Sequence, residues 1–396
     1  MKARSLRQTL HRVHGWLGVY LFSVLAVVFL SGTLAVFGHE LDWLLNDDIR
    51  ATRQSDAPLD WSGLERSVRR AYPEASVDWL IAPVGPGYAA QAWITTPDEQ
   101  TRRVYLHPDT HVVQGDSSFF NAQRFLRSLH YSFFTNNVVV LAFIAALGFV
   151  LLFSLVSGLV IYRRFWRGLL KWPHRARRRA WWGELHRLVG VWLIPFSLLI
   201  AVTSIWYFAE VVAFWIGQDH HLEPPLPTFA AAEAAPCTAP VDAGGAARIA
   251  RAAFPGLEVT DVIFPYTDGI PIEVRGDASA VLTRARANAV HIQPCTGEVL
   301  GVQDGAALGA LHRFGHMADP LHFGNFAGLV SKTLWFVFGL GLSGSLFSGA
   351  YIWWQRMHKD AAERRRGRRI AALSLLSLGV FCGVFGTIEI AGYLGV

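Results

Sequence analysis

The sequence predicts an α-helical integral membrane protein of about five transmembrane helices, organised as a two-fold internal repeat with two small α+β domains outside the bilayer. Composition is the first observation behind this. Of 396 residues 52% are hydrophobic and 15 are Trp, and the mean hydropathy is +0.29, which is unusual for a soluble chain. The second is a set of apolar runs at roughly 15–38, 138–161, 188–209, 333–355 and 370–388, none holding an Asp, Glu, Lys or Arg and each long enough to span a bilayer. The third is four histidines at matched places. His14 and His186 each precede a glycine by four residues, in His14-Gly-Trp-Leu-Gly18 and His186-Arg-Leu-Val-Gly190, and each opens an apolar run. His130 and His322, in Leu129-His130-Tyr131 and Leu321-His322-Phe323, lead into the second and fourth runs.

The first run is too long for the apolar core of a secretory signal, and Gly38-His39-Glu40-Leu41 follows it where a small-residue cleavage site would be needed. It is expected to stay as an anchor. Basic residues fall on one side of the spans: Lys2, Arg4, Arg7 and Arg12 at the start, an Arg-rich stretch from Arg163 to Arg179, and another from Arg356 to Arg369. The positive-inside rule makes that side cytoplasmic. The net charge of +6 is then explained by topology and lipid headgroups, and no nucleic-acid partner is expected. The organisation read from this is a cytoplasmic N-terminus and first span (1–39), a first outer domain (40–128), the second span (129–162), a basic loop (163–187), the third span (188–216), a second outer domain (217–320), the fourth span (321–355), a basic loop (356–369) and the fifth span (370–396). The N-terminus is then expected on the cytoplasmic side and both domains on the other.

The outer segments resemble each other. A helix-like stretch from about Trp61 ends at Ala71-Tyr72-Pro73, and another from about Ala243 ends at Ala253-Phe254-Pro255, because a proline cannot continue a helix. Short β-prone runs follow at 77–82 and 89–95 in one, and at 259–265 and 271–274 in the other. Both finish on similar hairpins, Val104 to Gly115 and Val290 to Gly301. Each half therefore reads as inner His, span, small domain, outer His, span and basic tail, with the fifth span outside the duplication.

A lone histidine at a membrane boundary is ordinarily an interfacial side chain bonded to a carbonyl or headgroup, and it is costly without such a partner. Matched pairs at both faces point instead to two bis-histidine haems, His14 with His186 and His130 with His322. Two axial imidazoles saturate the iron and favour electron transfer over oxygen binding, and Gly18 and Gly190 would let a flat macrocycle approach the helix backbone. No Cys-x-x-Cys-His is present, so the haems would be held non-covalently. His11 competes with His14, because Leu10-His11-Arg12 matches Leu185-His186-Arg187. His312 and His316 are weaker alternatives near His322, His39 lies within reach of the outer site, and His220 and His221 read as solvated. Trp192, Trp206 and Trp335 are candidates to carry electrons between the sites, although interface anchoring is their ordinary role. Glu210 and Glu389 read as exposed boundary residues. Cys237 and Cys295 fall together in the second outer domain, where an oxidising compartment permits a disulfide.

The chain resembles the PepSY-associated transmembrane family of bacterial inner-membrane proteins, and within it the iron-regulated ferric-siderophore reductases. The resemblance rests on Leu185-His186-Arg187-Leu188-Val189-Gly190, the Leu129-His130 segment, and Leu321-His322-Phe323-Gly324 followed by Gly344 to Trp354. It implies PepSY domains in the periplasm, two haem b with iron held through His14, His186, His130 and His322, and reduction of siderophore-bound iron as an oxidoreductase activity. The chain lacks a dinucleotide fingerprint, a Walker loop and a cytoplasmic stretch large enough for a flavin module, so a cytoplasmic flavoprotein reductase or membrane quinol is expected to supply electrons. Two other readings stand beside this one: a non-redox PepSY protein that binds or regulates a periplasmic partner, and a haem or siderophore transporter. Repeats also occur in transporters, but no broken helices in matched places are expected here.

Overall fold

The computed structural model describes residues 5–135, 137–174, 178–218, 222, 227–229, 240–357, 362, 365 and 367–376. The chain opens with α1 (Leu6–Tyr20), α2 (Phe22–Ala35), α3 (Gly38–Leu45) and α4 (Trp61–Ala71), then runs through β1 (Ser76–Ile81), β2 (Ala90–Thr95), β3 (Thr101–Leu106) and β4 (Val113–Ser118). Next come α5 (Ala122–Tyr131), α6 (Val138–Ile161), α7 (Arg178–Trp192), α8 (Ile194–Trp215) and α9 (Ala243–Ala253). The chain continues through β5 (Glu258–Ile263), β6 (Ile272–Asp277), β7 (Ala289–Ile292), β8 (Val299–Gln303), α10 (Ala310–Phe323) and α11 (Gly328–Met357). Among the described residues α6, α8 and α11 are long and apolar enough to cross a membrane, and α1 with α2 makes a fourth such span if the bent pair is counted as one. The run at 370–388 lies mostly outside the described residues.

Two of the expected spans are interrupted, contrary to the expectation of unbroken helices. A bend of 69° separates α1 from α2 at Leu21, and a break separates α7 from α8 at Leu193. Each falls seven residues after a cavity histidine, His14 and His186. The second break follows from Pro195, which has no N–H for the helix ladder and crowds the carbonyl four residues back. At the first, the hydroxyl of Ser374 accepts a hydrogen bond from the Ser23 backbone N–H (3.4 Å) and lies 2.8 Å from the Ser23 hydroxyl. A side chain inserted into the ladder is a recognised cause of a kink.

The strands of the two segments expected to lie outside share one sheet. They join edge to edge, antiparallel, in the order β4-β3-β2-β1-β5-β6-β7-β8, with Leu80 of β1 opposite Val262 of β5 at the seam. Helices α4 and α9 end where Pro73 and Pro255 forbid continuation, and each is N-capped by an aspartate: Asp60 accepts from the Gly63 N–H, and Asp242 from the Gly245 N–H. The core forms where Trp61, Leu64 and Val68 of α4 and Ala246, Ala247 and Ala250 of α9 pack on the buried alternate residues of the strands, among them Ala92, Val104, Val274 and Val290. Ser62 and Glu65 of α4 bond Asp242 and the Ala243 N–H at 2.6 Å, tying the helices together over the seam. Cys295, in the β7–β8 hairpin, is disulfide-bonded; Cys237 lies outside the described residues.

A candidate pair of bis-histidine sites

Two cavities lie among the helices, one on the side of the Arg-rich ends and one beneath the sheet. The first, about 410 Å³, holds both His14 and His186 in its wall, and the second, about 310 Å³, holds both His130 and His322. The imidazole centroids are 6.5 Å apart in the first pair and 6.1 Å in the second, with ring planes 82° and 49° apart. A metal bonded to one nitrogen of each ring at about 2.0 Å, with about 1.1 Å from nitrogen to ring centre for bonds near 1.33 Å, would place the centroids about 6.2 Å apart. Both pairs fit that spacing.

The tautomer of all four rings is set by their surroundings. His130 Nδ1 lies 2.8 Å from the Val28 carbonyl, and His186 Nδ1 lies 3.0 Å from the Ser345 carbonyl and from the Ser348 hydroxyl. A carbonyl only accepts, so Nδ1 carries the proton in both. His14 Nδ1 meets Ser157 Oγ at 2.9 Å, and His322 Nδ1 meets Thr203 Oγ1 at 2.8 Å. Those hydroxyls already donate within their own helices, Ser157 to Ser154 O and Thr203 to Leu199 O, so they accept from the imidazoles. Each Nε2 is left with its lone pair and no hydrogen bond among the described residues. An imidazole whose other nitrogen donates to a fixed acceptor is the usual arrangement of a metal ligand.

Glycines shape the walls. A Cβ built on Gly15, Gly18, Gly158, Gly183 or Gly190, all lining the first cavity, meets nothing within 4 Å, so these bare faces open a slot that a flat group would fill. At Gly32 the reverse holds, because a Cβ there falls 2.5 Å from His130 Cε1, and glycine is what admits the imidazole. No group of three or more His, Cys, Asp or Glu that could hold a metal ion occurs among the described residues. A bare ion commonly takes four protein ligands, whereas two imidazoles alone would suit iron whose other positions a macrocycle fills. Haem fits this donor set.

The structure brings His14, not His11, to the ring of His186, although His11 also lines the first cavity. His39 lines the second cavity, while His312 and His316 do not. His316 Nδ1 instead accepts from Arg284 Nε at 3.0 Å, beneath the sheet. Trp335 lines the second cavity and donates to the Leu321 carbonyl, but Trp192 is exposed and Trp206 donates to Glu210. Glu210 is therefore half-buried and paired rather than a free boundary residue, with Arg284 3.9 Å away. His220, His221 and Glu389 lie outside the described residues. The hydroxyls that orient the rings carry no signal in the sequence, since they lie 119 to 162 positions from their histidines.

A family model described as the PepSY-associated TM region matches residues 11–356. An uncharacterized protein of Pseudomonas aeruginosa is 26% identical over 293 residues, which cover 64% of this chain and 71% of that protein.

Proposed function

We propose, starting from the premise that the chain belongs to the PepSY-associated transmembrane family, that it is a di-haem b reductase. In this reading it passes electrons from the cytoplasmic side of a bacterial inner membrane to ferric siderophore in the periplasm. The single observation that carries the haem reading is the pair of neighbouring imidazoles in each cavity, with every Nδ1 engaged, no hydrogen bond to Nε2 among the described residues, and a separation that would admit one metal atom between the rings. Bound there, the haems would supply two one-electron iron couples, one near each membrane face. The chain's own part is to hold the imidazoles neutral and aimed, to keep water from the iron with apolar walls, and to set the spacing between the sites.

The five-span, duplicated build and the periplasmic placement of the sheet belong to the same reading, supported by the matched breaks at Leu21 and Leu193 and by the basic residues at the opposite side. The acceptor is substrate rather than cofactor. One electron reduces Fe(III) to Fe(II), and hard oxygen donors hold the larger, less charged ion more weakly, so the siderophore lets it go. The electron donor in this reading is a cytoplasmic flavoprotein or quinol. Aromatic residues of the sheet could contact a bulky ligand, but most serve in packing: Tyr105 is buried with its hydroxyl 2.9 Å from Ser117 Oγ, and Trp93 packs on Trp79 and Phe119. Tyr266 is 83% exposed and open to such a contact.

The test is stopped-flow mixing of the dithionite-reduced protein with a ferric hydroxamate siderophore in the presence of an Fe(II) chelator. Reoxidation of the haems with formation of the Fe(II) complex is expected, and His322→Ala should abolish it while the inner site remains reducible. Indifference to every ferric siderophore, together with rapid oxidation by another periplasmic acceptor, would remove the siderophore assignment.

A further inference from the structure

The geometry points to a specific seating of the ligands: each cavity takes a porphyrin with its two carboxylates turned to the nearer aqueous face, so the two macrocycles lie with their apolar edges towards each other. This inference rests on the haem reading above and adds to it the residues that recognise the anionic edge.

The charges lining the cavities carry the argument. The first cavity is lined by two cations, Arg187 and Arg356, and by no carboxylate; the second is lined by Arg127 and Lys332, again with no carboxylate. Arg187 and Arg127 have no carboxylate partner among the described residues and lie only over aromatic rings, Arg187 over Tyr162 and Arg127 over Tyr131 and Phe323. Lys332 is already paired with Glu40 at 2.6 Å. A guanidinium beside an apolar cavity with no counter-ion is well suited to a carboxylate, which it can bind with two parallel hydrogen bonds.

The position of the charges along one helix sets the direction. Lys332, Leu342 and Arg356 all belong to α11, and Leu342 lines both cavities, as does Phe29 of α2. At a rise of about 1.5 Å per residue, Lys332 stands about 15 Å from Leu342 on one side and Arg356 about 21 Å on the other. The shared wall is thus apolar and near mid-helix, while the cations sit towards the ends. A porphyrin with an apolar edge and two carboxylates fits each cavity in only one sense, with the apolar edge at Phe29 and Leu342. The electron path between the sites then crosses this shared wall and needs none of Trp192, Trp206 or Trp335 as a relay.

The test uses the full-length chain, expressed without haem supply and loaded in detergent with either haemin or haemin dimethyl ester, whose carboxylates are masked. Release to an excess of apomyoglobin is followed in the Soret band. His322→Ala isolates the inner site and His186→Ala the outer. In both backgrounds the ester should leave about tenfold faster than haemin, the worth of a charge-assisted hydrogen bond. Arg187→Gln should erase the difference at the inner site only and Arg127→Gln at the outer site only, with the Lys variants restoring part of it. Equal retention of ester and acid would overturn the proposal. So would a loss of haemin in the Gln variants that anionic lipid vesicles reverse, which would assign these cations to lipid headgroups. A chain that takes up neither compound would overturn the haem reading itself, and the absence of any Soret band distinguishes that result.

Discussion

At the scale of single residues, small features decide which side chain can reach each cavity. Gly32 makes the sharpest case. Alanine usually stabilises a helix interior relative to glycine by about 1 kcal/mol, but here the added methyl would stand 2.5 Å from His130 Cε1. Gly32→Ala should therefore empty the sheet-side site and leave the other intact, which haem content and the Soret spectrum will show; full occupancy of both would mean that His130 is not a ligand. For the first helix, the haem reading predicts that His14→Ala bleaches the site at the Arg-rich end while His11→Ala leaves it mostly filled, because the His14 ring lies 6.5 Å from that of His186. The opposite pattern would make the Leu-His-Arg register the right one. Orientation of the rings is testable too. Thr203→Val removes the acceptor of His322 Nδ1, and losing such a partner typically weakens a metal site by about 10–100-fold, so haem should leave the outer site faster, with Thr203→Ser close to wild type.

At the scale of elements, the junction between α10, α8 and the sheet is held by charge. Arg284 donates to Asp319 (2.9 Å) and to His316 Nδ1 (3.0 Å), Tyr207 OH donates to the other Asp319 oxygen (2.9 Å), and the Tyr207 ring lies 5.2 Å from the His322 ring. The bond to His316 requires a neutral imidazole. Burial, with Arg284 and Arg286 beside it and only Asp319 opposing them, pushes His316 down to about 4. Because the folded value lies below the ordinary 6.5, this group opposes folding only under acid: stability is fully present above about pH 6.5 and is lost as pH falls towards 4. The melting temperature should fall over that window, and His316→Gln should flatten the dependence; an unchanged slope in the variant would place the acid sensitivity elsewhere. The outer hairpins offer a second check. His111 and Gly297 occupy the same turn position with φ of 60° and 74°, so Gly297→Ala should cost about 1 kcal/mol, read as a lower thermal midpoint.

At the scale of the whole molecule, parts of the build were legible because local rules govern them. Pro73 and Pro255 end α4 and α9 at Ala71 and Ala253, as the pattern required, and both hairpins close where the turn residues stand. The matched histidines were legible as pairs. The continuous sheet was not, because an edge strand's alternation does not say whether its open side meets solvent or a second strand, and the seam between β1 and β5 joins residues about 180 positions apart. The bend at Leu21 has Ser374, far along the chain, bonded beside it at Ser23, a partner that no local signal announces. The cations and glycines of the cavities look like topology markers and helix breaks until the fold gathers them around two slots. The central claim is that these slots hold two six-coordinate haems, and haem content per chain tests it most directly. The pyridine haemochrome of the purified protein should give two haems b, falling to one in each of the His14→Ala, His186→Ala, His130→Ala and His322→Ala variants; a colourless protein, or four variants that all keep two haems, would contradict it.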